Sequence, residues 1–421
     1  TQYYNFGQNP YLGGKGAVGG SYLDSAGYGQ FNYKPVDENG ADLEFYALCT
    51  KNLPSGPIDV HQDDIPADYF KTVIWRGDNQ NGRQITTGFE PDLTWIAIRS
   101  GTQGSMTITD SVRGVDSIVS PNNSSVSSAY DGSWRSSYGQ ITEFNATGFK
   151  VNKGSSSSNF NSNNNEYVGW AWRAAGSPAG NEAKIIELDG SLTVTPANTF
   201  SSNLGADIYP NKISANRKSG FSAIEYSGTS GDGHTCPHGL SKAPELVVVK
   251  CFSESKSWFF YHKDLTSGHV LMLNENDGER SGFWGGELAA PDQNFLRFVK
   301  GTGANSTPHY DNVNRSGQDY ISYCWHSVAG YSKFGSYEPA QAVPCFIELG
   351  FKPAFLMVKG MNYASSWYIF DNARNPLNPT GRTLHAESSS GEQNFSNGGV
   401  DFLSNGFAVR GTSFATMVDS S

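Results

Sequence analysis

Three segments of this chain are variants of one short sequence, and that repeat limits the possible folds more than any other feature. Residues 88–96 (GFEPDLTWI), 242–250 (KAPELVVVK) and 350–358 (GFKPAFLMV) each place a proline before a run of apolar and β-branched residues. A repeat of this kind indicates copies of one small β unit rather than a single large fold. Tandem β modules usually present surface, so the repeat also favours binding over catalysis.

The similarity between the copies continues beyond the proline. Trp258 follows Pro244 by 14 residues, and Trp367 follows Pro353 by the same 14. Further shared segments are FNATGF and FLSNGF at residues 144–149 and 402–407, and YVGWAW and YISYCW at residues 167–172 and 320–325. Side-chain size alternates in the last pair, which fits a strand with two different faces.

The composition suits short strands joined by many tight turns. The chain has 48 glycines, 13% aromatic residues and only 17% charged residues. Aromatic residues favour strands, whereas Gly, Ser and Asn favour turns. Long amphipathic helical patterns are hard to find. We therefore predict an all-β chain of tandem β-sandwich modules in three related copies.

Charge and hydropathy argue against two classes of partner. The chain has 30 Lys and Arg against 40 Asp and Glu, a net charge of −10, and it lacks a basic stripe. Nucleic-acid binding is therefore not expected. No run of about 20 apolar residues occurs, so we expect no membrane insertion. The cysteines are scattered and odd in number, which argues against a disulfide framework. They are Cys49, Cys236, Cys251, Cys324 and Cys345.

The repeat also sets the predicted domain boundaries. Residues 1–55 lie outside it and form a partial N-terminal β module and linker. The first copy occupies residues 56–178 and the second 216–332, with a connector hairpin at 179–215 between them. Residues 333–421 form the third copy.

The third copy lacks the aromatic segment that closes the first two. In the first copy 18 residues separate Phe149 from Tyr167, and the same offset from Phe407 passes position 421. A sandwich without that strand has an open edge. Three explanations remain open: truncation, closure by a different strand, or a strand donated by a neighbouring chain.

A family resemblance rests on several motifs that occur in order along the chain. They are NFGQ (5–8), ALCTKNLP (47–54), GFEPDLTWI (88–96), KISAN (212–216), GFS (220–222), HGL with its later proline (238–244), GYSKFGSY (330–337) and FLSNGF (402–407). With these motifs the chain resembles tail-fibre and related virion surface proteins of marine tailed bacteriophages, over about residues 40–415.

The resemblance implies jelly-roll or concanavalin-like sandwiches on the outside of a virion, with the N-terminal segment the end of a SPRY-like module. It implies a homotrimer, although the sequence shows no coiled coil. Other virion proteins and a host cell-surface glycan or protein would be the partners. The resemblance brings no catalytic site.

Aromatic residues in loops are the candidate ligand-binding residues. Five of them lie in Gly/Ser/Asn-rich segments rather than in strand patterns: Trp134, Tyr138, Phe160, Trp284 and Tyr310. Sugar rings stack on such faces while nearby polar groups supply hydrogen bonds. The alternative is that each ring anchors its own loop onto a core.

Two other patterns resemble functional sites but have simpler structural interpretations. His234, Cys236 and His238 alternate as metal ligands on a strand would. However, Pro237 interrupts that pattern, so we predict no metal site and no cofactor. Asp110 with Arg113, and Asp371 with Arg374, recur at equivalent places in two copies. A repeated pair of this kind is typical of a structural loop contact.

The sequence contains no motif for a catalytic centre. It has no Gly-x-Ser-x-Gly, no phosphate-binding loop and no His-Glu-x-x-His. We therefore expect a non-enzymatic virion surface protein, a tail fibre, whose loops attach to a host glycan or receptor. One alternative is a structural assembly protein, either a capsid decoration or a fibre closed by strand donation between subunits. A second alternative is a polysaccharide depolymerase.

Overall fold

The computed structural model describes residues 22–23, 30–31, 36, 40–41, 65–102, 104–156, 159–281, 287–299, 312–338, 345–395 and 398–410. The chain divides into two compact units, Thr1–Val60 and His61–Ser421. The first unit contains an antiparallel pair, β1 (Tyr22–Leu23) and β2 (Gln30–Phe31). The second unit contains the repeat.

The first sandwich of the second unit follows a 3₁₀ turn at Pro66–Asp68. Its strands are β3 (Phe70–Arg76), β4 (Arg83–Thr86), β5 (Leu93–Ser100), β6 (Thr107–Asp110), β7 (Gln140–Asn145), β8 (Gly148–Asn152) and β9 (Glu166–Trp172). They form one sheet in the order β3-β9-β5-β6 and a second in the order β4-β8-β7. A 3₁₀ turn (Ser127–Tyr130) and helix α1 (Gly132–Tyr138) lie between β6 and β7.

The second sandwich is built on a nine-stranded sheet. Its chain segments are β10 (Glu182–Ile186), β11 (Leu192–Pro196), α2 (Ala197–Leu204), β12 (Lys212–Asn216), β13 (Phe221–Ser227), β14 (His234–Pro237), β15 (Leu246–Cys251), β16 (Phe259–His262), β17 (His269–Met272), β18 (Arg280–Ser281), β19 (Glu287–Ala289), β20 (Phe295–Val299) and β21 (Asp319–Trp325). The large sheet has the order β11-β10-β12-β13-β21-β15-β16-β17-β18, and β14-β20-β19 form the opposing sheet. The connector therefore contributes the hairpin of β10 and β11 to this sheet.

The third sandwich is smaller. Its strands are β22 (Cys345–Glu348), β23 (Phe355–Val358), β24 (Tyr368–Asp371), β25 (Arg382–His385), β26 (Gln393–Asn394), β27 (Gly399–Leu403) and β28 (Gly406–Arg410). The sheets have the orders β23-β24-β25-β26 and β22-β28-β27. Strands dominate the described residues, and the two α-helices found there are short, so the predicted all-β class with sandwich modules is confirmed.

Each pair of sheets encloses its own apolar interior. Ile85, Ile96 and Phe149 belong to the interior of the first sandwich. Tyr226 and Phe298 stack in that of the second, with ring centroids 5.2 Å apart. A third interior contains the residues Phe370, Val400, Phe402, Phe407 and Val409. The sequence predicted interiors of this kind, one for each module.

A fourth apolar cluster joins the three sandwiches, and the sequence did not predict it. On β5, Ile96 faces the interior of the first sandwich whereas Trp95 faces this shared cluster. Because successive strand side chains point to opposite faces, both faces of the main sheets are buried. The shared cluster also contains Tyr323 of the second sandwich and Trp367 of the third. We call it the central core.

Hydrogen bonds at two of the module boundaries repeat each other. Trp258 Nε1 donates to the carbonyl oxygen of Ser120 in the first sandwich, over 2.7 Å. Its counterpart Trp367 donates to the carbonyl oxygens of Met272 and Glu275 in the second, over 3.2 and 3.0 Å. The same repeat position therefore holds the second sandwich on the first and the third on the second.

A different contact links the third sandwich back to the first. Arg99 Nε lies 3.0 Å from Glu392 Oε2, and the amide of Glu392 donates to the carbonyl oxygen of Arg99 over 2.7 Å. Since each sandwich contacts both of the others, the three surround the central core as a closed ring.

The third sandwich differs from the others at strand β23. The equivalent strands β5 and β15 are flanked on one side by the aromatic closing strands β9 and β21. Within the part of the chain that the structure describes, β23 is the last strand of its sheet. Its four residues are all half-buried, whereas those from Leu93 to Ile98 in β5 are all buried.

Candidate functional site

Helix α1 presents two of the predicted ligand-binding residues. The helix begins after Asp131, whose side chain accepts from the amide of Trp134 over 2.9 Å and from the hydroxyl of Ser133 over 2.6 Å. An N-cap of this kind satisfies an amide that the first turn would otherwise leave without a partner. The helix ends at Gly139, whose φ of 84° suits glycine. These two ends hold a seven-residue helix in an otherwise irregular loop.

The aromatic side chains of this region form a row. Tyr130 and Trp134 meet edge to face with ring centroids 4.7 Å apart, and Trp134 and Tyr138 follow at 5.0 Å with a 38° tilt. Residues four apart on a helix share a face, which explains the second contact. Tyr130 is buried, whereas Trp134 and Tyr138 are half-buried and keep part of their surface in solvent. We call Trp134 and Tyr138 the aromatic pair.

Part of the Ser/Asn-rich tract packs along α1. The amides of Ser155 and Ser156 donate to the carbonyl oxygens of Ser136 and Ser137 over 2.9 and 3.0 Å. Gly154 permits this approach, because a Cβ atom there would lie 2.0 Å from the carbonyl oxygen of Ser137. Ser155 and Ser156 therefore lie beside the helix that carries the aromatic pair.

Phe160 does not belong to this surface. Its side chain is fully buried in the interior of the first sandwich, and its carbonyl oxygen accepts from Trp75 Nε1 over 3.0 Å. The prediction that it stacks on a ligand is therefore wrong, and the ring instead anchors the Ser/Asn-rich tract. Trp284 and Tyr310 lie outside the described residues. In the sequence, Trp284 stands four residues after Arg280, and Tyr310 stands two residues before Asn312.

Both Arg280 and Asn312 line a polar pocket of about 320 Å³ at the boundary between the first and second sandwiches. The residues that line it are Ser124, Ser255, Lys256, Ser257, Met272, Glu275, Arg280 and Asn312. All except Ser124 come from the second sandwich. Sequence patterns gave no signal for these residues, because they lie in turns and strand ends far apart in the chain.

A buried lysine ties the two sides of this pocket together. Lys250 Nζ donates to the carbonyl oxygens of Ser124 and Lys256, over 3.0 and 2.6 Å. Ser255 Oγ also donates to the Ser124 carbonyl oxygen, over 3.0 Å. Burial lowers the pKa of Lys250 to about 8. The sequence did contain a signal for Lys250, because a charged residue that directly follows three valines in a strand pattern is unusual.

The two Asp-x-x-Arg pairs connect modules. Arg113 Nη2 lies 2.6 Å from Asp110 Oδ2, and Tyr323 of the second sandwich donates to the same oxygen over 2.7 Å. At the equivalent pair, Arg374 Nε lies 2.6 Å from Asp371 Oδ2. Both pairs are buried, as the predicted structural role requires.

Asp371 has a partner from another module too. Trp170 Nε1 of the first sandwich donates to Asp371 Oδ2 over 3.1 Å. Trp170 and Tyr323 occupy equivalent positions in the closing strands β9 and β21. One buried carboxylate in the loop of each pair therefore recognises the closing strand of another sandwich.

The two histidines of the alternating His234, Cys236 and His238 pattern form hydrogen bonds with protein groups. His234 Nδ1 lies 2.8 Å from the hydroxyl of Thr229, and His238 Nε2 lies 3.1 Å from the carbonyl oxygen of Asp292. Burial lowers the pKa of His238 to about 4, so the ring is neutral at pH 7. Among the described residues, no group of three or more His, Cys, Asp or Glu side chains is placed to hold a metal ion.

These features define an all-β protein whose sandwiches share a central core and carry polar and aromatic surface at their loops. Residues 65–420 match the profile of a family described as a domain of unknown function, DUF7483. The chain belongs to that family. Comparisons with curated proteins and with solved structures found no match. In the part of the chain that the structure describes, no helix is long and apolar enough to span a membrane.

Proposed function

We propose that this protein is a non-enzymatic surface component of a bacteriophage virion, a tail fibre, which attaches to a glycan or receptor on the host cell. It acts in the virion as a homo-oligomer, with a trimer favoured by the family resemblance of its sequence. The observation that carries the proposal is the aromatic pair, Trp134 and Tyr138, held on a capped helix at the surface.

The aromatic pair suits a sugar for two reasons. The apolar face of a sugar ring packs on half-exposed aromatic rings, while its hydroxyls need polar partners at the rim. Ser133, Ser136 and Ser156 supply such groups on and beside α1. Binding at one site of this kind is weak, and several copies in one oligomer raise the overall affinity.

The test is attachment of the purified, fluorescently labelled chain to intact cells of marine bacteria. We expect binding to at least one strain, and periodate oxidation of the cell surface to abolish it. Trp134→Ala with Tyr138→Ala should reduce the bound protein at least about tenfold, because aromatic anchors dominate interfaces of this kind.

Tyr209→Ala is the matched control, since Tyr209 is an exposed aromatic residue outside α1, with 51% of its surface accessible. That variant should bind as the wild type does. Attachment that survives loss of both aromatic rings would refute the role of the aromatic pair. Failure to attach to any strain would refute the function itself.

Strand β23 favours a second candidate, a structural protein that assembles through strand donation. Main-chain groups at an unpaired sheet edge accept a strand from another chain. In the other two sandwiches the equivalent edge is covered by β9 or β21. The half-burial of Phe355 to Val358 is consistent with an edge that a further strand would cover.

Light scattering of a truncation series separates assembly from attachment. If assembly is the main role and depends on the N-terminal segment, deletion of residues 1–10 should abolish polymers and leave the circular dichroism spectrum unchanged. Monomers from the full chain at every concentration would exclude this second candidate.

A further inference from the structure

The polar pocket between the first and second sandwiches is preformed. Its two sides are connected by the buried Lys250 ammonium, which bonds the main chain of both Ser124 and Lys256. Two of the lining side chains are also bonded to each other, since Ser257 Oγ donates to Glu275 Oε1 over 3.1 Å. A site whose polar groups are already held in place loses little entropy when a ligand enters.

The described charged side chains around this pocket form ion pairs with one another. Arg280 Nη2 lies 2.8 Å from Glu275 Oε2 and also contacts Asp277. Lys256 Nζ lies 3.9 Å from Glu254, and Arg315 bonds Glu254 over 2.9 Å.

Among the described side chains around the pocket, Lys256, Arg280 and Arg315 are thus paired with Glu254, Glu275 and Asp277. The ammonium of Lys250 is a further cation, but it is buried and held by the carbonyl oxygens of Ser124 and Lys256. A charged ligand would have to break these described ion pairs and would lose its hydration. The electrostatics therefore favour a neutral ligand.

Hydrogen-bonding groups in the pocket suit a ligand rich in hydroxyls. A hydroxyl both donates and accepts, so vicinal hydroxyls complement a carboxylate next to an ammonium or guanidinium group. Glu275 accepts, Lys256 and Arg280 donate, and the three serines do both. Met272 adds one apolar side for the carbon face of a ring.

The pocket volume of about 320 Å³ lies at the lower end of the range of about 300–1,000 Å³ that is typical of small-ligand sites. We infer that this pocket binds one neutral sugar residue of a surface glycan. This inference deepens the proposed function and rests on it for the glycan. It assigns a second sugar-binding position, distinct from the aromatic pair.

Saturation-transfer NMR on the full chain tests the inference directly. The probes are glucose, galactose, mannose and N-acetylglucosamine, with glucuronate and inorganic phosphate as charged comparators. We expect saturation transfer to at least one neutral sugar, with an affinity that sodium chloride does not change, because ionic screening acts on charged ligands.

Glu275→Gln and Lys256→Met each remove one charged hydrogen-bonding group. Each should weaken the binding of that sugar about tenfold. Glu143→Gln is the matched control, because Glu143 also pairs with a cation, Lys150, but lies on β7 away from the pocket. Unchanged circular dichroism of the variants shows that they fold.

Three results would overturn the inference: no transfer to any neutral sugar, transfer only to the charged probes, or an affinity in both pocket variants equal to that of the wild type. Trp134→Ala separates this inference from the proposed function. It should reduce attachment to cells and leave sugar binding in the pocket intact. If the wild type binds sugar in the pocket but attaches to no cell, only the proposed function fails.

Discussion

Two lysines occupy the same repeat position, six residues after the proline, and each reaches across to a neighbouring sandwich. Lys250 bonds the first sandwich at Ser124, and Lys359 bonds the second at the carbonyl oxygen of Asn276 over 3.1 Å. The first copy has Ala97 there. A charged group that is taken out of water is costly unless it finds hydrogen-bond partners, and both lysines find one of theirs across a module boundary.

The buried Lys250 predicts a pH dependence of stability. Its pKa falls from 10.5 to about 8 on folding because burial disfavours the charged form. The folded state therefore holds fewer protons than the unfolded state between these two values, and stability rises with pH across that window. Below pH 8 the folded state bears the full free-energy cost of burying the charged ammonium, and above pH 10.5 that cost is gone.

Denaturant unfolding of the wild type and Lys250→Met between pH 8 and 10.5 measures this effect. The free energy of unfolding of the wild type should increase relative to the variant by about 3 kcal/mol across the window. Taking the difference between the two proteins removes the contribution of tyrosines that titrate in the same range. Parallel curves would contradict the prediction.

The buried Asp110 and Arg113 pair predicts a large loss of stability on a single substitution. Arg113→Met leaves the carboxylate of Asp110 buried without its cation, which should cost about 3–5 kcal/mol in the free energy of unfolding. Lys150→Met breaks an exposed pair with Glu143 and should change little. Equal effects of the two substitutions, measured by urea unfolding, would show that burial of the pair is unimportant.

At the scale of elements, strands were easier to predict than the short helix. The runs after Pro91, Pro244 and Pro353 all became strands, because β-branched and apolar residues fit a sheet buried on both faces. Helix α1 was not predicted, since seven residues with three serines and a glycine have little helix propensity. The helix is stabilised instead by its two caps and by the contacts of Trp134.

The N-cap of α1 is therefore expected to control the aromatic pair. Asp131→Ala removes the acceptor for the Trp134 amide, so the first turn should fray and the two rings should lose their fixed geometry. Cell attachment should fall, and the amides of residues 132–138 should exchange faster with deuterium.

Asp131→Asn is the control for this change, because asparagine caps helices as well as aspartate does. It should keep both attachment and amide protection. Loss of attachment in both variants would instead indicate that the carboxylate itself contacts the ligand.

For the whole molecule, the sequence predicted separate modules but not the core between them. The apolar runs of β5 and β15 predicted strands, yet they did not show what would cover the second face of each strand. A covering layer from another module lies far away in sequence, and periodicity within one strand contains no information about it. The same limit applies to the polar pocket, which exists only where two modules meet.

The central core predicts that the three sandwiches unfold together. Trp258→Phe removes the hydrogen bond to Ser120 at one boundary and leaves that carbonyl oxygen unsatisfied, which should cost about 1–3 kcal/mol. Because the central core is common to all three sandwiches, amides of β5, β15 and β24 should lose the same free energy of protection. Hydrogen exchange at increasing denaturant measures this for each strand. If only β15 loses protection, the sandwiches open independently and the central core does not couple them.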